Sequence, residues 1–416
     1  MSSDSASEKP RGNEEPLGAD PGSEGPRGGE EPLASDSVPK QPRGDEDPVT
    51  SGAAEEATPA LGNRWTAIGL LGATAVVLFL VSLEFRKMWE DPPLYPGPGV
   101  TDQARLSDYF PEIEGTWADT DVYFLEGEEA GGTALVLGGT HPNEPASSVT
   151  AITMLENAVV TRGRLIVIPR AAHSGFTATD PQEGYPQFYG IETPTGVRRF
   201  RYGGRGTNPV HQWPDPVIYV NGSGQQLAGP EVRNLNRSYP GDPDGYLTER
   251  LAYAIVELIR QEEIDLSIDL HEASPEYPVI NAMVAHDDAM DLAVEAALLL
   301  EFEDMQIAVE PSPANLRGLS HREWGDATDT RAILIESANP IQGRLRGPTN
   351  EALIVEGKDP YYTRAGKMGL LYVPFGDEGS PLDERVGRHI QAVSTLLEVF
   401  SLHNPDLAIA VDNLPS

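Results

Sequence analysis

Residues 135–148 read LVLGGTHPNEPASS, and the fold turns on how they are parsed. The opening belongs to an aliphatic run, TALVLGG (133–139), too short for a helix and ended by two glycines, which reads as a buried strand. His141 and Glu144 follow, three residues apart, on the turn into the helix expected from PASSVTAITMLENA (145–158). Two residues so spaced on a helical turn face the same way, so an imidazole and a carboxylate can converge on one ion. Alone, such a pair is most often a solvated turn.

Further strands follow from the same reading: RLIVIPR (164–170), IDLSIDL (264–270) and AILIES (332–337). Between them LTERLAYAIVELIRQ (247–261) sets Leu251, Ile255, Leu258 and Ile259 on one helical face, with Thr248 expected as its N-cap. SPLDERVGRHIQAVSTLLEVF (380–400) opens with Ser380 as cap, Pro381 at the first helical position and Asp383 three on, a helix start. Strands interleaved with helices imply an α/β domain with a mostly parallel or mixed sheet flanked by helices. In such sheets ligands bind at the carboxyl ends of the strands.

Two of those ends carry chemistry. His271 leaves the strand of IDLSIDLHEAS, and Glu336 closes AILIES. Two histidines and one carboxylate with a fourth position left for water suit a catalytic zinc, and a second carboxylate that is not a ligand could move the proton of the attacking water. With no cysteine anywhere in the 416 residues, thiolate metal sites, disulfides and cysteine nucleophiles are excluded.

The pattern resembles the zinc-dependent aspartoacylase and succinylglutamate desuccinylase group, within the wider zinc carboxypeptidase superfamily. GGTHPNE (138–144), IPRA (168–171), NLNRSYPG (234–241), DLHEA (269–273) and ILIES (333–337) match its motifs in order. The resemblance implies that His141, Glu144 and His271 bind one zinc ion and that Glu336 is general base and acid. It further implies that Arg170 polarises the scissile carbonyl and that Asn236 and Arg237 grip a substrate carboxylate. Pro142, Asn234 and Ile168 depart from the family's motifs, standing for its glycine, aspartate and asparagine. About sixty residues between IPRA and NLNR, rich in Gly, Pro and aromatics (GYPQFYG, RRFRYGGRG), replace a short connection and are expected to lie over the site. The family's C-terminal β-rich domain is not expected in the eighty residues after Glu336.

The rest of the chain sets location and partners. Residues 1–63 repeat PRGNEEPL, PRGGEEPL and PRGDEDPV at a sixteen-residue period and are expected to be a disordered acidic tail. From Trp65 to Leu83 no charge interrupts WTAIGLLGATAVVLFLVSL, so residues 64–85 are expected to form a single membrane-spanning helix. A linker over 86–110 and a zinc hydrolase domain over 111–416 would follow. Arg64 on one flank against Arg86 and Lys87 on the other leans only weakly towards a cytoplasmic domain. The net charge of -35 argues against nucleic acid. His173, His211, His286, His321, His389 and His403 lack partners at metal spacing and read as surface or core residues.

The expected function is hydrolysis of an amide in a small carboxylate-bearing substrate, an N-acyl amino acid, by zinc-activated water. A carboxypeptidase acting on a peptide C-terminus is the alternative among enzymes. A catalytically inactive, membrane-tethered binding protein whose acidic tail recruits partners is the alternative of another class.

Overall fold

The computed structural model describes residues 64–87, 89–179 and 185–415. The acidic repeat tail lies outside them. Helix α1 (Arg64–Lys87) is 24 residues long, none of them buried, and is long and apolar enough to cross a membrane.

The chain divides into two compact units, the second running from residue 76 to 416 and holding a nine-stranded mixed sheet. Its strands are β1 (Asp102–Arg105), β2 (Asp121–Glu126), β3 (Glu129–Leu137), β4 (Val159–Ile168), β9 (Leu266–Ala273), β10 (Ala282–Ala285), β11 (Ala308–Pro311), β12 (Arg331–Ala338) and β13 (Ala410–Asp412). Two hairpins, β5 (Phe188–Thr193) with β6 (Gly196–Arg201) and β7 (Ile218–Val220) with β8 (Gln226–Ala228), stand apart from it. The order is β1-β2-β4-β3-β9-β12-β10-β11, with β13 added to β4. The central four, β4, β3, β9 and β12, run parallel, and antiparallel neighbours flank them. All four strands read from the sequence lie in this central block.

Alternation along the strands sorts their side chains between two cores. Ala134, Val136, Leu165, Val167, Ile268, Leu270, Ile333 and Ile335 pack under α2 (Pro145–Asn157), α4 (Met290–Phe302) and α8 (Leu382–His403). Leu135, Leu137, Ile166 and Ile168 face the other way, towards α3 (Leu247–Gln261) and α5 (Ser320–Ala327). Leu251, Ile255, Leu258 and Ile259 of α3 are all buried there, as their spacing predicts.

Helix starts differ in detail from the sequence reading. Thr248 is inside α3 rather than capping it, since its hydroxyl donates to Gln212 Oε1 (2.8 Å), while Glu249 Oε2 accepts from the backbone of Tyr246 (2.9 Å). Helix α8 begins one residue later than expected, with Pro381 as the cap residue and Ser380 Oγ donating to Ala338 O. Residues expected in the linker are part of the sheet unit: β1 pairs with β2, and Leu106 is fully buried. Past β12 come α6 (Glu351–Glu356), α7 (Pro360–Lys367), α8 and the short β13.

The connector after α1 is bound closely to the domain. Asp91 accepts from His173 Nε2 (2.7 Å), Arg170 Nη2 donates to Pro92 O (2.7 Å), and Arg201 Nη1 donates to Glu90 O (2.7 Å). Burial pushes the Asp91 carboxyl up, but His173, Arg170 and Arg201 outweigh it and hold the group below its ordinary 3.8. A depressed carboxylate stabilises the bound connector above its unfolded pKa and ceases to do so as pH falls through the folded one. Amide protection across 89–100, relative to the unstructured rate at the same pH, is therefore expected to fall below about pH 4 and, at neutral pH, in Asp91→Asn. Equal protection in the variant and the wild type would show that Asp91 does not hold the connector.

Candidate metal centre

Strand β3 reaches the site through a glycine pair that no other residue could replace. Gly139 has a φ of 71°, and a Cβ there would lie 2.9 Å from the Phe176 ring. A Cβ on Gly138 would meet Ala151 at 2.7 Å, so helix α2 packs directly against the end of the strand. Glu144 occupies the cap position of α2 without capping it. Glu272, on the following residue of β9 after His271, takes that role: its Oε2 accepts from Ala146 N (2.8 Å). Glu144 is thereby left to point at the histidines.

His141, Glu144 and His271 come together, each about 1% exposed, with one potential ligand atom per residue and these atoms within 4.8 Å of one another. Glu144 Oε1 lies 2.8 Å from His141 Nδ1, and its Oε2 lies 3.0 Å from His271 Nδ1. The second nitrogen of each ring is already engaged. His141 Nε2 lies 2.9 Å from Asn234 Oδ1, and His271 Nε2 lies 2.9 Å from Asp269 Oδ2. Asn234 Nδ2 donates to Glu231 (2.8 Å) and its Oδ1 also accepts from Asn236 N, which fixes the amide with its oxygen towards His141. Thr140 Oγ1 donates to Asp269 Oδ1 (2.8 Å), holding that carboxylate in turn.

These contacts assign the protons. Asn234 Oδ1 and the Asp269 carboxylate are acceptors, so both Nε2 atoms carry hydrogen and a neutral ring turns its Nδ1 lone pair to Glu144. Burial, then the charge of Arg205, pushes His141 down to about 4, so that ring is neutral near pH 7. Burial pushes Glu144 up, yet the two histidines hold it well below its ordinary range, while Asp269 and Glu144 outweigh burial at His271 and raise it. Lone pairs of a neutral ring and of an anion 2.8 Å apart repel unless a cation sits between them. The donor set thus fits a metal ion, with oriented outer partners on both histidines.

Glu336 stands beside this cluster. The β9–β12 register pairs it with His271, so both side chains leave the same face of adjacent parallel strands. Its Oε2 is buried and has no hydrogen-bond partner among the described residues. Burial pushes its carboxyl up to about 8, against the opposing pull of His271 and Arg205. A carboxyl group beside a candidate metal site, with a buried oxygen unpartnered among the described residues and its pKa raised to about 8, is suited to moving protons.

The remaining expected residues are distributed differently. Arg170 turns to the connector, as described, and among the described residues makes no hydrogen bond or ion pair with His141, Glu144, His271 or Glu336. The guanidinium at the cluster belongs to Arg205, whose Nη1 lies 3.2 Å from Glu144 Oε1. It arrives from the long insertion, where Gly203 fits only because it has no side chain: a Cβ would lie 2.6 Å from Pro142. Asn236 is buried with Oδ1 accepting from Ser320 N (2.8 Å), and Arg237, half-buried, donates to Asn236 O. Both sit in the turn Leu235–Arg237, directly after Asn234.

Sequence reasoning missed Arg205, Asn234 as a partner of His141, and Asp269. An acid two residues before His271 on one strand was a usable signal, because side chains two apart share a face. His389, read as surface or core, is core: its Nε2 lies 3.0 Å from His271 O, and burial holds the ring neutral, near 3. Glu272 also pairs with Arg385, a fully buried ion pair between β9 and α8.

The chain is similar to deacylases of the aspartoacylase and succinylglutamate desuccinylase group and to metallocarboxypeptidases. The N-alpha-acetyl-L-2,4-diaminobutyric acid deacetylase of Halomonas elongata is 27% identical over 164 residues, 38% of this chain and 34% of that protein. The chain thus spans about a third of the length of the curated relative it matches. An aspartoacylase family protein from Mesorhizobium loti is 18% identical, with 59% of this chain and 65% of that one covered and a TM-score of 0.32. A metallo-carboxypeptidase from Burkholderia cenocepacia is 11% identical, with 74% and 66% covered and a TM-score of 0.41. No family model matches.

Proposed function

We propose that the chain is a zinc-dependent amide hydrolase, anchored by residues 64–85 and acting on a small carboxylate-bearing substrate of the N-acyl amino acid kind. The observation that carries this reading is the convergence of His141 Nδ1, Glu144 and His271 Nδ1 beside Glu336 Oε2, which has no partner among the described residues. When bound, zinc would supply Lewis acidity to the attacking water and to the substrate carbonyl. Glu336 takes the proton of that water at Oε2 and delivers it to the leaving nitrogen. The Arg205 guanidinium, 3.2 Å from Glu144, would stabilise the negative charge that develops on the carbonyl oxygen, the role expected of Arg170. Arg237, on the turn that also carries Asn234, grips the substrate carboxylate, with Asn236 holding that turn to α5.

The purified full chain with zinc is expected to hydrolyse an acetyl- or succinyl-amino acid faster than a tripeptide. The reverse order would make it a carboxypeptidase. No turnover of either class by metal-loaded protein would sink the enzymatic reading. Arg205→Met is expected to lower kcat by about 10²–10³ with less effect on KM, the loss typical of one oxyanion donor, whereas Arg170→Met should change KM and kcat little. A large kcat loss in Arg170→Met with normal turnover in Arg205→Met would return the role to Arg170.

A further inference from the structure

Within the insertion, residues 207–220 (TNPVHQWPDPVIYV) are built inside out. Their polar side chains turn inward: His211 Nδ1 lies 2.8 Å from Ser174 Oγ, Gln212 Oε1 accepts from Thr248 N (2.9 Å), Asp215 pairs with Arg233 (2.9 Å), and Tyr219 OH donates to Glu249 (2.9 Å). Their apolar side chains turn outward: Val210 is 80% exposed, Trp213 74% and Val217 95%, with Ile218 and Val220 more than half exposed. Five large apolar groups within eleven residues form a patch rather than scattered exposure.

This patch is joined to the end of α1. His211 stacks on Trp117 (4.7 Å between centroids, 7° between planes), Trp117 lies 5.4 Å from His173, and His173 holds Asp91, four residues past Lys87. The connector between is bound to the domain and is not a free tether. We propose that the 210–220 segment rests on the bilayer interface as a second membrane contact, placing the insertion that carries Arg205 at the lipid surface. This inference rests on α1 crossing the membrane.

Three features favour lipid over another occupant. The stretch 207–220 holds one carboxylate, Asp215, neutralised by Arg233, in a chain that is otherwise 23% charged. A second copy of a chain with net charge -35 would be repelled electrostatically. A tryptophan with aliphatic neighbours is also the side-chain set enriched where protein meets the headgroup region.

The chain has no cysteine, so single replacements can be labelled without background. Val217→Cys, Leu78→Cys in α1 and Phe302→Cys at the exposed C-terminal residue of α4 would each carry a nitroxide in the full chain, reconstituted in phosphatidylcholine–phosphatidylglycerol vesicles. The readout is accessibility to oxygen, which partitions into lipid, against an aqueous nickel chelate. The label at 217 is expected to resemble that at 78 and to exceed that at 302 several-fold in the oxygen-to-nickel ratio. A water-exposed label at 217 beside a lipid-exposed one at 78 overturns the proposal alone. Spin–spin broadening at 217 that vanishes on dilution with unlabelled protein overturns it in favour of a second copy. A water-exposed label at 78 removes the anchor and this inference with it, while hydrolysis by the same preparations reports separately on the catalytic reading.

Discussion

Glu336→Gln is expected to bind metal as the wild type does and to lose about 10³-fold in kcat, the middle of the range for removing a general acid–base. The substitution is nearly isosteric, and the β12 backbone that pairs with β9 is unaffected, so folding should persist. What disappears is a single proton acceptor whose Oε2 has no other partner among the described residues. The pH dependence carries the sign. A general base acts ionised, so kcat/KM should rise with pH through the Glu336 pKa and level above it. Burial, aided by the charges of Glu144 and Asp269 and opposed by His271 and Arg205, sets that group near 8. A cation among His141, Glu144 and His271 adds to the pull of His271 and Arg205 towards the ionised form, so the acid limb should lie at or below about pH 8. In Glu336→Gln the limb attributable to this group should be gone. Near-normal turnover in the variant, on a substrate the wild type accepts, would remove Glu336 from the mechanism.

How far the sequence foretold this site depends on the kind of contact. Periodicity and breakers located the four central strands, because a strand buried on both faces must be a short aliphatic run. Strand ends then located His141, His271 and Glu336, since parallel strands deliver their carboxyl ends to one edge. The insertion was legible as a long excursion, but not as the source of Arg205. Nothing local distinguishes that arginine from Arg198, which pairs with Glu156, or Arg201, which grips the connector; the packing of Gly203 on Pro142 and the backbone bonds of 203–207 to Pro142, Gly175 and Arg233 bring it to the cluster. Arg170 illustrates the converse. Its motif position suggested the site, while its neighbours in space, Asp91 and Pro92, come from a connector whose docking no spacing rule foretells. The membrane-compatible helix needed composition alone, whereas the outward turn of Val210, Trp213 and Val217 depends on which partners their polar neighbours find inside.

The metal itself is the second large test, and its graded part is the more informative. His141→Ala and His271→Ala are expected to abolish stoichiometric zinc in the purified full chain, measured by elemental analysis, because each removes one of the three side chains proposed as ligands. Asn234→Ala and Asp269→Ala keep all three proposed ligands but leave a ring nitrogen without its partner. Each is expected to weaken zinc binding by about 10–100-fold, the usual cost of losing an outer partner, measured by competition with a chelator. Asp269 should matter more than Asn234. It presents a charge to His271 Nε2 and is itself held by Thr140, whereas Asn234 presents a neutral carbonyl shared with Asn236 N. Asn234→Asp supplies the sharpest case. Aspartate keeps the acceptor at His141 Nε2, adds charge to it and forfeits the amide donor to Glu231, setting two carboxylates where one hydrogen bond of 2.8 Å now stands. If orienting His141 is the function of this position, zinc binding in Asn234→Asp should stay closer to wild type than in Asn234→Ala. If the Asn234–Glu231 link matters more, the order reverses, and stability falls with it. Stoichiometric zinc in both histidine variants would place the ion elsewhere and leave the three side chains as a buried hydrogen-bonded turn.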